Sequence, residues 1–276
     1  MGAHVKHVIG FVVGILIAAA INTQLGGARS SQPTQSVSSF ADRGAVDKWM
    51  HNYYLHPEPA RVVDAIVTLS AQGVLKEAPR STMIAAFVAG AIEHDPSLLD
   101  TLCSRLKDAP LDQQRVLAMA VAFTGRKDLL VRVKSGLPRL NGIDKLASDP
   151  SARHVLQTPV EKSALGLDMQ WAYFMATGKE EPVLRIISTL PGINETEDAH
   201  RFASAHAARW SLGSMAGLHP KVMQISRAAA ANASEPLAAI LRDVIEAAET
   251  RTHNRFRGEA QDAARAWKAR QQDSKI

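Results

Sequence analysis

The sequence predicts an all-α protein: an array of about six antiparallel helical hairpins, α-solenoid-like, preceded by an N-terminal signal peptide or anchor helix. Three observations lead there. Ala and Leu recur throughout, and few segments alternate Val, Thr and Tyr as half-buried strands do. Apolar residues fall at i, i+3/i+4 spacing in stretches separated by short turn signals. One stretch is also written twice, because "FTGRKDLLVRVKSGLP" (123–138) recurs 53 residues later as "ATGKEEPVLRIISTLP" (176–191) without a gap.

Residues 1–27 read as a signal peptide or membrane anchor. After Lys6, fourteen residues from Val8 to Ile21 carry no charged or polar side chain. That run matches the apolar region of a secretory signal and falls short of the ~20 residues that span a bilayer comfortably. Small residues at Ala18-Ala19-Ala20 and Gly26-Gly27-Ala28 suit cleavage, while extension through Leu25 suits an uncleaved anchor. Either way the body is expected outside the cytoplasm, in the cell envelope or secreted. Residues 28–41, rich in Ser, Gln and Thr, read as a flexible linker, and 42–276 as the helical repeat domain.

The hairpins follow in order. "AVDKWMHNYYL" stops at His56-Pro57 and "PARVVDAIVTLSAQGV" follows; the next first helices stop at His94-Asp95-Pro96, Thr124-Gly125, Thr177-Gly178 and Gly217 to Pro220. Glycine ends a helix in a left-handed conformation and proline starts one with a preset φ, so both punctuate a hairpin. The turn residues His56, His94, Gly125, Gly178 and Gly217 are spaced by 38, 31, 53 and 39 residues. The long interval contains an insertion, Arg139 to Lys162, and a more polar pair after Glu235 closes the array.

Seven residues before each turn stand Trp49, Phe87, Ala118, Trp171 and Trp210, four large aromatics in a chain that is 5% aromatic. Seven residues are two helical turns, so each ring shares a face with its turn. The expectation is a wedge against which the second helix of the same hairpin packs.

On these stretches the architecture resembles tetratricopeptide and HEAT-type α-solenoids, although the Trp-Leu-Gly-Tyr series and the fixed period of the former are absent. "WMHNYYLHPEP", "AYFMATGKEEPVLRIISTL" and "AARWSLGSMAGLHPKV" also resemble segments of a family of bacterial exported helical proteins. That resemblance implies the fold and no particular activity.

Composition narrows the function classes. With 276 residues and 46% hydrophobic content the chain can bury a sizeable core. Its formal charge is +5, and seven basic against three acidic residues between Arg251 and Lys275 place most of the excess in the tail. A near-neutral body argues against nucleic acid as a partner. Cys103 is the single cysteine, so no internal disulfide can form.

No phosphate loop, GxGxxG, GxSxG or HExxH occurs, and no histidine pair has the i, i+4 spacing of a helix-borne zinc site. No cofactor and no metal are therefore expected. His56, His94 and His219 read as turn-capping side chains, and Glu195, Glu197 and Asp198 as carboxylates at a helix start.

The candidate partner-binding residues are Trp49, Tyr53 and Tyr54 in "WMHNYYLHPEP", and Arg255, Arg257 and Trp267 in the basic tail. Such aromatics anchor interfaces, although the four-residue spacing of Trp49 and Tyr53 equally suits the core. The Arg139 to Lys162 insertion is a third candidate element. The expected function is non-enzymatic binding of a protein or peptide partner at the cell envelope, with membrane contact through the N-terminal segment. The alternatives are an envelope hydrolase or lyase on a helical scaffold and a secreted effector.

Overall fold

The computed structural model describes residues 40–137, 139–140, 153–161 and 163–273, with side chains as far as Ala266. The described residues form twelve α-helices and no strand. In chain order they are α1 (Arg43–Asn52) and α2 (Arg61–Ala71), α3 (Ala78–His94) and α4 (Leu98–Leu106), α5 (Leu111–Phe123) and α6 (Lys127–Gly136), α7 (Ala164–Thr177) and α8 (Glu181–Ile187), α9 (Ala199–Leu218) and α10 (Pro220–Asn232), and α11 (Leu237–Glu249) and α12 (Arg255–Asp273); in the first five couples the two helices pack on each other. The break within each of the first five couples falls where the turn signals place it. The segment 1–27, read as a signal peptide or anchor, lies outside the described residues, and no helix among the described residues is long and apolar enough to cross a membrane.

Local chemistry sets the ends. Asp42 accepts a hydrogen bond from the Ala45 N–H at 2.8 Å, Ser163 caps α7 through the Gly166 N–H, and Asp198 caps α9 through the His200 and Arg201 N–H groups. The repeated Thr-Gly turn is built twice in the same way. Thr124 Oγ1 donates to the Val121 carbonyl and accepts from the Arg126 N–H; Thr177 Oγ1 donates to Tyr173 and accepts from Lys179. Gly125 and Gly178 take φ +69° and +62°, and Leu129, Leu130 and Val133 point inward, as do Val183 and Ile186 of the second copy. Even the exposed apolar position repeats, as Val131 and Leu184.

Pro59 lies just outside α2, in a turn in which the Arg61 and Val62 N–H groups bond back to Glu58 and Pro59. Phe40 packs 5.2 Å from Trp49 beneath the Arg61 guanidinium, so it belongs to the folded body and not to the linker.

α3 and α7 are the central helices. Every residue from Ile84 to Ile92, and every residue from Met169 to Ala176, is buried. A helix that is apolar all round must be surrounded by others, and these two lie against each other along their length. Small residues permit the approach: a Cβ on Gly90 would stand 2.7 Å from that of Ala176. α3 packs along α5 as well as α7, while α5 and α7 make no comparable contact, so α3 sits between them. Strict stacking of consecutive hairpins would have put α5 there. The change of side falls between α6 and α7. α9 gathers the C-terminal half, packing against α7, α8, α10, α11, α12 and the 3-10 turn Leu190–Asn194.

The aromatic series also packs differently from the expected wedge. Trp49 and Phe87 lie 5.6 Å apart, each in contact with Tyr53, so equivalent rings of neighbouring first helices pack on one another. Trp171 Nε1 donates to Ser211 Oγ, beside Trp210. These side chains join hairpin to hairpin.

α11 closes with a Schellman arrangement in which the Thr252 N–H bonds to the Ala247 carbonyl and the Arg251 N–H to Ala248. Arg251 occupies the left-handed position at φ +58°, where a side chain costs about 1 kcal/mol relative to glycine. Arg251→Gly is therefore expected to raise stability by about 0.5–1 kcal/mol, read as a higher urea midpoint at unchanged m-value. A lower midpoint would show that the arginine side chain contributes more than its backbone strain costs.

Candidate functional site

The first helices α1, α3, α7 and α9 end at one edge of the fold. The Tyr54 N–H after α1 donates to the Met175 carbonyl of α7 at 2.9 Å, Lys179 after α7 reaches Glu93 of α3, and Tyr54 meets His219 after α9. Gly178 is required here twice over, by its φ and because a Cβ would stand 2.8 Å from the Tyr54 ring.

At this edge the three aromatic candidates separate. Trp49 and Tyr53 are core residues, Tyr53 fully buried, so neither ring is presented to a partner. Trp49 Nε1 donates to Glu58 Oε2 at 2.9 Å, and burial first, then Asp95 and Glu58, pushes the Tyr53 hydroxyl up to about 12. Tyr54 is half-buried and stands among Phe174 (5.0 Å) and His219 (5.8 Å). His219 is buried and stacks with His51 of α1, centroids 5.8 Å apart and planes 10° from parallel. Leu55 follows Tyr54 and Leu218 precedes His219, so the Tyr54–His219 contact brings both exposed leucines to this edge (51% and 48% exposed).

The turn-capping role expected of the histidines is not performed. His219 occupies the N-cap of α10 without a side-chain cap bond, and His56 and His94 are exposed. His154 does cap, its Nδ1 accepting from the Leu156 N–H.

A second polar group lies where α3, α7 and the insertion meet. Glu93 Oε2 accepts from the Tyr173 hydroxyl at 2.5 Å and lies 3.6 Å from Lys179 Nζ, and Oε1 is 2.9 Å from His154 Nε2. Since His154 Nδ1 is the acceptor for Leu156, Nε2 carries the proton and donates to Glu93. Burial pushes the Glu93 carboxyl up, yet the His154 and Tyr173 hydrogen bonds outweigh it and hold the group below its usual range; Tyr173 is driven well above its own.

Carboxylate, phenol and imidazole thus look like acid–base machinery. Both imidazole nitrogens are engaged within the fold and Tyr173 is fully buried. The group is a clamp. With the Gln170 bond to the Val155 carbonyl and the Arg185 bond to the Thr158 carbonyl, it straps 153–161 onto α7 and α8. This part of the insertion, with Val155 and Val160 buried, is a brace and not a displayed loop.

The basic tail is partly tied down. Arg255 pairs with Asp243, which also holds Arg209; Arg209 pairs with Glu259 at 2.7 Å, and both guanidinium groups lie over Phe256, at 5.0 and 4.1 Å. Arg257 is half-exposed on the same helix, and Trp267 lies in α12 with its side chain outside the description. Arg255 is thereby engaged within the fold.

Asp168, the one residue of 166–176 that is not fully buried, is pushed by burial up to about 7, and no described residue bonds to it. Among the described residues no group of three or more His, Cys, Asp or Glu side chains could hold a metal ion. The sequence signals missed Glu93, His154 and Tyr173, each of which reads as an ordinary helix or loop residue; only the His219-Pro220 pair marked its position. No protein-family model, curated protein or solved structure matches the chain.

Proposed function

We propose that this chain is a non-enzymatic helical-repeat protein of the bacterial cell envelope, exported or anchored through its N-terminal segment, that binds a protein or peptide partner at the edge where its first helices end. The observation that carries the reading is that Leu55 and Leu218, both exposed, are the chain neighbours of the two residues in contact at this edge, half-buried Tyr54 and His219. Apolar side chains next to an amphipathic aromatic suit the centre of a modest interface. The Glu93 clamp adds support, because its hydrogen bonds serve to hold the 153–161 segment against α3 and α7. Export rests on the apolar run Val8 to Ile21.

Asp168 favours the second reading, a hydrolase or lyase on a helical scaffold, since a carboxyl raised to about 7 is suited to general acid work. No described residue is placed with it as the second group such chemistry needs.

The test immobilises the full chain, in mild detergent, against solubilised envelope extract, beside the Leu55→Asp/Leu218→Asp variant. The expected result is a partner retained by the parent and reduced at least ~10-fold by the variant, since each buried leucine contributes about 1.5–3 kcal/mol. Equal retention by both, or turnover of a cell-wall glycan or peptide by the purified parent, overturns the proposal.

A further inference from the structure

We infer that the stacked His51–His219 pair is an acid-sensitive latch joining the first hairpin to the fifth: proton uptake by His219 releases the end of α1 from the α9–α10 turn. The inference stands on geometry and does not depend on what the edge binds.

His219 is 4% exposed. Its Nδ1 lies 3.3 Å from the Tyr54 hydroxyl, and its Nε2 is buried with no partner among the described residues. A neutral imidazole has one donor and one acceptor. Tyr54 can satisfy either at Nδ1, and the other nitrogen is left unpaired. Protonation makes both nitrogens donors and adds a buried charge, so the contact that neutral His219 tolerates becomes costly.

The neighbours give the cation nothing to pair with. From α1 it meets His51, 5.8 Å away in a parallel stack, and the Tyr54 hydroxyl; from α7 it meets only Phe174, 6.1 Å away and edge-on. The carboxylate that acts on the pair is Asp47, one turn before His51 on α1. It acts on His51 rather than His219, and Arg43 and Arg80 act on it in turn. A charge on His219 therefore faces His51, whose own protonation would place two cations in one stack.

Titration follows the same direction. Burial first, and then His51, lowers the His219 value from 6.5 to about 4; burial lowers His51, against the pull of Asp47. Because the closed form binds its proton less readily than the open one, closure is complete above pH 6.5. It weakens as pH falls from there towards 4, with no further loss below. Between pH 7 and pH 5 His219 alone shifts the open-to-closed ratio about 20-fold.

The Tyr54 amide bonds to the Met175 carbonyl of α7, next to the Tyr54–His219 contact, and its exchange reports on release of the end of α1. Hydrogen exchange of the full chain in detergent is compared at pH 7 and pH 5 after correction for intrinsic rates. A fall of about 20-fold in protection at Tyr54, with little change at the central Ala89 amide and loss of the pH effect in His219→Phe, supports the latch. Unchanged protection at Tyr54, or an equal fall in His219→Phe, overturns it. Should that variant fail to fold, imidazole NMR of the parent decides: a His219 midpoint well below 6 supports the latch and one near 6.5 refutes it.

Discussion

Phe87→Ala is expected to destabilise the protein by about 3–5 kcal/mol, the range for removing a large buried ring that leaves a cavity. Phe87 is 2% exposed and packs 5.6 Å from Trp49 and 5.1 Å from Tyr53, so its loss opens a hole between α1 and α3 that neither helix can close alone. Urea unfolding followed by circular dichroism measures it, with Phe87→Leu as control at below about 1.5 kcal/mol. A cost below about 1.5 kcal/mol for the alanine would mean that the equivalent rings of the first two hairpins do not join them. The loss should also be coupled to that of Trp49→Ala, because both remove parts of one cluster.

Gly166→Ala tests the brace with an opposite sign from local expectation. In an exposed helix the change gains about 1 kcal/mol. Here an added Cβ would stand 2.3 Å from the Pro159 carbonyl oxygen, a backbone atom, with the Val160 Cα behind it at 3.4 Å. Nothing flexible can yield, so either 159–160 lifts from α7 or the helix shifts. A net loss of about 2–3 kcal/mol is expected, accompanied by faster proteolysis near Val155. Stabilisation by this substitution would show that the segment does not lie on α7 at this distance.

The helices and their ends were legible because their causes are local. Thr124-Gly125 and Thr177-Gly178 announce a turn through a hydroxyl that bonds within its own turn and a glycine with left-handed φ, and Leu129, Leu130 and Val133 follow from spacing alone. Trp49 and Tyr53 sit four residues apart, and the core reading of that spacing is the one the structure places. Which helix covers which was not legible. α3 is apolar on every side, so its sequence records that it is surrounded and says nothing about whether α5 or α7 lies on a given face.

The polar groupings fail for a related reason. Glu93 and His154 are 61 positions apart, His51 and His219 further still, and a hydrogen bond between distant residues leaves no periodic trace. Of the proposed partner residues with described side chains, Tyr54 is the one in contact with His219 at the candidate edge. Arg255 is drawn into the Arg209–Asp243 network because Phe256, one residue on, buries its ring against α9.

The position of α3 between α5 and α7 also sets an order of events as the chain is made. When the first three hairpins have been synthesised, one long side of α3 still faces water, since the helix that covers it comes from the fourth. Gly90, which meets Ala176 of α7, offers that side no side chain with which to collapse on its own, and the brace that fixes α7 arrives only just before α7 itself. The N-terminal half is therefore a waiting platform, and the chain gains its central contact when the nascent fourth hairpin docks onto it.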